Sequence, residues 1–205
     1  MSSSLNPQEL FGDIDIYLFD QLLKGRFNPQ MQLLDAGCGS GRNLPYFLSS
    51  GYDVYGVDQS STSIAQVRAL AARLAPRLPE NNFRVEAVEE MSFADASFDV
   101  VVSSAVLHFA RDEHHWQTMV KEMWRMLKTG GIFFARLAST VGIEDQVERI
   151  EGRRFHLPDG SDRFLVDELM LTTASEVLGG KLLDPFKTVV VHHQRSMSNW
   201  SLRKV

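Results

Sequence analysis

A chain of 205 residues with a formal net charge of −5 has no basic footprint, which excludes a nucleic-acid backbone as its main partner. Its 44% hydrophobic content suits one sizeable folded domain, and its single cysteine, Cys38, excludes an internal disulfide framework and fits a reducing, cytoplasmic setting. No apolar run approaches the ~20 residues of a membrane span, and the polar stretch from Met1 to Pro7 lacks the charged-then-apolar order of a signal peptide.

Pro7 to Lys24 reads as one helix or two short ones, with Ile14, Leu18 and Leu22 inward and the acidic residues outward. From Gln32 to Leu137, apolar runs alternate with helical patterns, which predicts a parallel sheet flanked by helices. The strands fall at 31–36, 53–57, 83–87, 98–103 and 131–137. Leu44, Phe47 and Leu48 form one helical face, with Pro45 in the first turn. Ile64, Val67, Leu70, Ala71 and Leu74 form a second, behind N-cap candidates at Ser60 to Ser63. Trp116, Met119, Val120, Met123, Trp124 and Leu127 form a third, which should end at a glycine cap in Lys128-Thr129-Gly130-Gly131. All three stripes read as core faces.

After an irregular stretch between 139 and 165, residues 162–178 look helical, and 183–193 and 197–205 look like two strands joined by a short polar turn. A hairpin closing a parallel sheet makes its last strand antiparallel. One domain over 1–205 is expected, with a helical cap over 1–30, a ligand-binding core over 31–138 and a C-terminal helix and hairpin over 139–205. Beyond the Ser2–Ser4 tip there is no low-complexity segment, and there is no internal repeat.

The chemistry concentrates in Leu33-Leu34-Asp35-Ala36-Gly37-Cys38-Gly39-Ser40-Gly41-Arg42-Asn43. A short apolar run ends in a carboxylate, and a turn with three alternating glycines follows. Glycine tolerates the backbone angles of such a turn and lets a ligand approach the main chain. The next strand, Val54-Tyr55-Gly56-Val57-Asp58, ends in an acid about 20 residues beyond the first glycines, where it can bond both hydroxyls of a ribose. The pair predicts a nucleoside-containing cofactor. Arg42 occupies the place of the third glycine of a dinucleotide fingerprint, and Asp35 would repel a pyrophosphate but suits an ammonium. Ribose at one end and an amino acid at the other describe S-adenosylmethionine.

On this segment the chain resembles the class I S-adenosylmethionine-dependent methyltransferases, in particular small single-domain bacterial ones. The likeness extends through Phe93-x-Asp95-x-Ser97-Phe98-Asp99-Val100-Val101. Gly-Arg-Asn at 41–43 followed by Gly-Tyr-Asp-Val at 51–54 also resembles tellurite-resistance methyltransferases. The resemblance implies a Rossmann-like α/β fold with helices on both faces of a seven-stranded, mostly parallel sheet. Its last strand would run antiparallel between the fifth and sixth.

The site should lie at the carboxyl ends of the strands. Gly37, Cys38 and Gly39 would meet the methionine part, Asp35 its ammonium, Asp58 the ribose, and Gln59, Val88 and Glu89 the adenine. The family's usual aspartate after the third strand is Ala87 here, with Glu86, Glu89 or the Val88 backbone to compensate. The resemblance also implies cofactor contacts from Ser103 and Ser104, and Tyr17 as a cover from the N-terminal helix.

His108 is the catalytic candidate, as a base for an acceptor that must lose a proton, and it also faces the acceptor. Arg136 would hold an anionic substrate, with His156 and Arg163 as further loop candidates. His114 and His115 read as a solvated helix start, and the histidine spacing matches no zinc pattern, so no metal is expected. Cys38, inside the turn with no adjacent base, reads as a packing residue.

The implied reaction is in-line methyl transfer to a small-molecule acceptor, which needs no base if the acceptor is already nucleophilic. Two alternatives stay open: a non-catalytic S-adenosylmethionine-binding protein with a decayed site, and a nicotinamide-dependent oxidoreductase.

Overall fold

The computed structural model describes residues 6–205, so the Ser2–Ser4 tip and the first five residues of the expected cap lie outside the described residues. Five strands run parallel in one sheet: β1 (Gln32–Ala36), β2 (Asp53–Asp58), β3 (Phe83–Val85), β4 (Phe98–Ser104) and β5 (Leu127–Ala138). A separate antiparallel meander follows, β6 (Glu148–Glu151), β7 (Arg154–His156) and β8 (Asp162–Phe164). The chain then returns to the main sheet as β9 (Gly180–Leu182), β10 (Lys187–Val191) and β11 (Arg195–Lys204). The order across the sheet is β10-β11-β5-β4-β1-β2-β3, with β9 on the same free edge of β11 as β10. The last strand thus lies antiparallel between β5 and an interrupted sixth strand, as the resemblance implies.

The helices are α1 (Pro7–Phe11), α2 (Ile16–Leu23), α3 (Pro45–Ser49), α4 (Ser61–Leu74), α5 (Glu113–Met126) and α6 (Glu168–Val177). Strand period and helix period select which face each covers. Along β5, Phe133, Ala135 and Leu137 pack with Trp116, Met119 and Met123 of α5 and with Leu171 of α6. The alternate residues Ile132 and Phe134 pack with Leu18 of α2, Phe47 of α3 and Ile64 and Val67 of α4. Trp200 of β11 is the largest side chain fully buried on the α5 side, stacked on Trp116 at 5.8 Å and edge-on to Phe133 at 5.4 Å. Its indole N–H donates to Ser175 Oγ of α6 at 2.9 Å, so one residue joins strand and helix.

Four expectations are corrected. Helix α5 does not end at the glycines: Leu127 is already extended and fully buried, and pairs with Phe98, so burial of this leucine carries the chain straight into β5. The stretch 139–165 is not irregular but holds the meander, and α6 therefore starts at Glu168 with Asp167 as its N-cap, accepting from Met170 N at 2.8 Å. The strand expected at 183–193 breaks at Asp184-Pro185. Proline has no N–H for the ladder, and Asp184 is engaged elsewhere, accepting from Arg26 at 2.5 and 3.0 Å, Lys24 at 2.9 Å and Gln21 at 3.1 Å. Those contacts hold its carboxyl below the ordinary range and clamp the N-terminal helices to the C-terminal strands. Finally, the N-terminal acids are not all outward, because Asp15 is buried.

Trp200→Ala should cost roughly 3–5 kcal/mol, read as a lowered urea midpoint with an unchanged slope. A loss under about 1 kcal/mol would show that β11 is not a core strand.

Candidate functional site

Strand β1 is flanked by β2 on one side and β4 on the other, so the chain segments leaving β1 and β4 diverge and open a crevice at their carboxyl ends. A cleft of about 460 Å³ occupies it. Its floor is the glycine turn. Gly37 N and Cys38 N both donate to Val57 O, at 2.9 and 2.8 Å, which pins the turn to the end of β2. Gly37 has φ +84°, and a Cβ there would stand 2.4 Å from Val106 Cγ2, so only glycine fits. A Cβ at Gly39 would meet nothing within 4 Å, which leaves this part of the main chain accessible. Helix α3 opens only at Pro45, and Arg42 and Asn43 form part of the cleft wall before it.

Asp58 closes the far side of the turn. One carboxylate oxygen accepts from Gly39 N at 3.0 Å and the other from Ser60 N at 2.9 Å, where Ser60 caps α4. Each oxygen retains a lone pair, since an ionised carboxylate has about four acceptor sites. Asp35 is different: it is 1% exposed and neither carboxylate oxygen has a hydrogen-bond partner among the described residues. Burial, with Asp58 adding to it against the opposing charge of Arg42, pushes its carboxyl up to about 7. A buried acid without a partner is costly and needs a reason.

The expected residues divide into three groups. Gly37, Cys38, Gly39, Asp58, Gln59, Val88 and Glu89 line the cleft, together with Ala87 and Ser104. Asp35 and Ser103 lie buried just before the segments that line it, Ser103 Oγ also without a partner among the described residues. Tyr17, His108 and Arg136 are not in the cleft wall. Burial of Cys38, reinforced by Asp35 and Asp58, raises its thiol above the ordinary value, consistent with packing against Gly56 and Phe83. His108 is buried in a one-turn helix between Val106 and Ala110. Burial, with the charge of Arg163, lowers it to about 4, so it stays neutral and weakly basic at neutral pH. The meander holds His156 against Asp162 at 2.8 Å, while Arg163 lies over the Phe109 ring at 4.9 Å.

Asp15 explains where Arg136 and Tyr17 went. Its Oδ2 accepts from Arg136 at 2.8 Å and Ser104 Oγ at 3.2 Å, with Arg42 at 3.9 Å, and its Oδ1 caps α2 through Tyr17 N at 3.0 Å. Its own N–H donates to Asn43 Oδ1 at 2.9 Å, and Arg136 lies over the Tyr17 ring at 5.3 Å. Burial of this acid follows from its two cations and one hydroxyl. The Asp-Ile-Tyr sequence marks a helix start, but nothing local announces a partner 121 residues away.

Sequence reasoning also placed His115 in solvent. It lines the cleft instead, its side chain 10% exposed. Its spacing of one helical turn from Met119, itself on the buried stripe, is the signal that could have found it.

The fold, the glycine turn and the paired acids define the class. Residues 34–135 match the family described as "Methyltransferase domain", and the chain belongs to the class I S-adenosylmethionine-dependent methyltransferases. Among curated relatives it is 31% identical over 129 residues to the arsenite methyltransferase of Aquipseudomonas alcaligenes, covering 58% of this chain and 36% of that protein. The first three such relatives are spanned over only 35–46% of their length. Among solved structures it is similar to the 1,6-didemethyltoxoflavin-N1-methyltransferase of Burkholderia thailandensis, solved with 1,6-didemethyltoxoflavin and S-adenosylhomocysteine. The TM-score is 0.71 at 20% identity, over 95% of this chain and 80% of that one. The [4+2]-cyclase SpnF gives the same TM-score, 0.71, at 18% identity over 92% and 80%. The shared fold therefore does not by itself specify the reaction.

Because the folded Asp35 carboxyl titrates near 7 and the unfolded one near about 3.9, the folded chain holds an extra proton between those values. Its contribution is then full at low pH and is lost as pH rises through about 7. Urea unfolding of cofactor-free protein should show Asp35→Asn gaining on the wild type by roughly 2–3 kcal/mol between about pH 5 and about pH 8. A gap that stays constant across that range contradicts a protonated Asp35 at the acidic end.

Proposed function

We propose that this chain transfers a methyl group from S-adenosylmethionine to a small acceptor that brings its own nucleophile. The observation that carries the reading is Asp35, a dry carboxylate without a partner beside a glycine turn whose other end is closed by Asp58. An ammonium next to Asp35 offsets the cost of that burial, and a ribose at Asp58 uses the acceptor sites left on its oxygens. A pyrophosphate satisfies neither, which disfavours a nicotinamide cofactor.

When bound, the cofactor supplies an electrophilic methyl group on a sulfonium. The protein's part is placement. Gly37 and Gly39 let the main chain approach the methionine portion, and Ser104 and Arg42 bound it on the side of β4. Val106 and Phe109 stand on the outer wall, with Phe109 60% exposed. Arg111 belongs both to this wall and to a second, charged cleft of about 830 Å³ beneath the meander. That cleft is our entry route for the acceptor.

His108 is weakly basic and away from the wall, and the histidine that does line the cleft, His115, has both ring nitrogens engaged, one with Glu89 and one with the Arg111 N–H. The reading therefore favours an amine, thiolate or metalloid oxyanion over an alcohol or carbon acid. The named activities of the arsenite and 1,6-didemethyltoxoflavin-N1 methyltransferases are in keeping with such acceptors.

Calorimetric titration should show saturable binding of S-adenosylmethionine and S-adenosylhomocysteine and none of NADH. Asp58→Ala should weaken both by about 10- to 100-fold, the worth of one or two hydrogen bonds to a charged group. Unchanged affinity in that variant, or binding of NADH alone, overturns the reading.

A further inference from the structure

The meander sets three side chains in register across its strands. Arg149 of β6 pairs with Phe155 of β7, and Phe155 pairs with Arg163 of β8, so cation, ring and cation stand side by side on one face. The Arg149 guanidinium lies over the Phe155 ring at 5.0 Å, and the Arg163 guanidinium carries the series on to Phe109, at 4.9 Å from its ring. The two rings differ. Phe155 is buried and supports Arg149 from beneath, whereas Phe109 is 60% exposed even with a guanidinium over it. Most of that phenyl is therefore open, and Phe109 lines the cleft of the glycine turn. A large aromatic surface left open in a cleft wall offers a flat ligand contact that water cannot match.

The cations at this mouth are under-used. Among the described residues the Arg163 side chain donates one hydrogen bond, to Asp162 O at 2.8 Å, and it forms no ion pair. Arg111, its side chain 70% exposed, reaches only Glu89, at 3.8 Å and beyond hydrogen-bond length. A guanidinium has five N–H donors in a planar fork, so both retain the set that matches a carboxylate or another oxyanion. Acids of the adjoining second cleft are committed instead: Asp112 and Asp167 cap α5 and α6, and Glu144 accepts from Gly142 N at 3.0 Å.

We infer that the acceptor is a flat aromatic anion, whose ring lies against Phe109 and whose negative group meets Arg163, with Arg111 as the second cation. The inference rests on the S-adenosylmethionine reading and narrows it. Of the acceptors that need no base, it selects an amine or thiolate carried on an aromatic ring that also bears an oxyanion. A metalloid oxyanion has no ring to place on Phe109 and is set aside.

The test measures calorimetric binding of three matched probes to protein saturated with S-adenosylhomocysteine. They are 2-naphthoate, which is flat and anionic; 2-naphthamide, flat and neutral; and decahydro-2-naphthoate, anionic with a saturated ring. The wild type should bind 2-naphthoate at least about 10-fold more tightly than either of the others. Phe109→Ala should cut the preference over the saturated ring by about 5- to 10-fold and leave the preference over the amide in place. Arg163→Gln should cut the preference over the amide by at least about 3-fold, and the double variant with Arg111→Gln should abolish it. A role in folding alone weakens all three probes together and leaves both ratios unchanged, which overturns the inference. So do equal affinities in the wild type, or no binding of 2-naphthoate to a protein that does bind S-adenosylhomocysteine. If S-adenosylhomocysteine itself does not bind, the cofactor reading fails and takes the inference with it.

Discussion

The carboxyl group of Asp35 has no hydrogen-bond partner among the described residues and almost no contact with water. Burying such a group costs several kcal/mol when it is ionised and less when it keeps its proton, and the structure accepts that cost at the end of its central strand. Everything around the residue serves to keep it there. Leu33, Leu34 and Ala36 of the same strand are fully buried on the two faces of the sheet, so β1 cannot shift to bring the acid into solvent. The turn after it is held as well, since Gly37 N and Cys38 N both donate to Val57 O. A fold that holds an unpaired buried acid in a fixed place, beside an accessible main chain, is in keeping with the cationic ligand proposed for it.

The second constraint comes from the two ends of the chain. Asp15, near the N-terminus, ties α2 to β4 and β5 through Ser104 and Arg136, and Asp184, near the C-terminus, ties α2 and the turn after it to the broken edge strand through Gln21 and Arg26. Both ion pairs are largely shielded from solvent, which makes them worth more than ordinary surface pairs and costly to break singly. The helical cap is thereby fixed to the same strand ends that bear the cleft, and Arg42 and Ser104 belong both to the cleft wall and to the contacts that hold Asp15.

Much of this was legible in the sequence. The five parallel strands follow from apolar runs alternating with helical stripes, and the antiparallel last strand from the hairpin that closes the sheet, because those patterns are local. The turn at 37–41 and its acid at 58 were legible for the same reason: backbone geometry confines them to short motifs. The rest depended on partners distant in the chain. Asp15 and His115 looked exposed because their pairs, Arg136 and Glu89, lie on other elements. The meander at 148–164 stayed hidden since its strands are of three or four residues, below the length at which alternation can be read. The expected helix cap at Gly130 yielded to the burial of Leu127, a tertiary effect.

The central claim is that Asp35 is protonated until an ammonium arrives beside it. Calorimetry of S-adenosylhomocysteine binding at about pH 6, in buffers of different ionisation enthalpy, counts the protons exchanged on binding. With the free carboxyl titrating near 7, the wild type should release close to one proton per ligand bound, and Asp35→Asn should release none. Binding without proton release in the wild type would contradict the account.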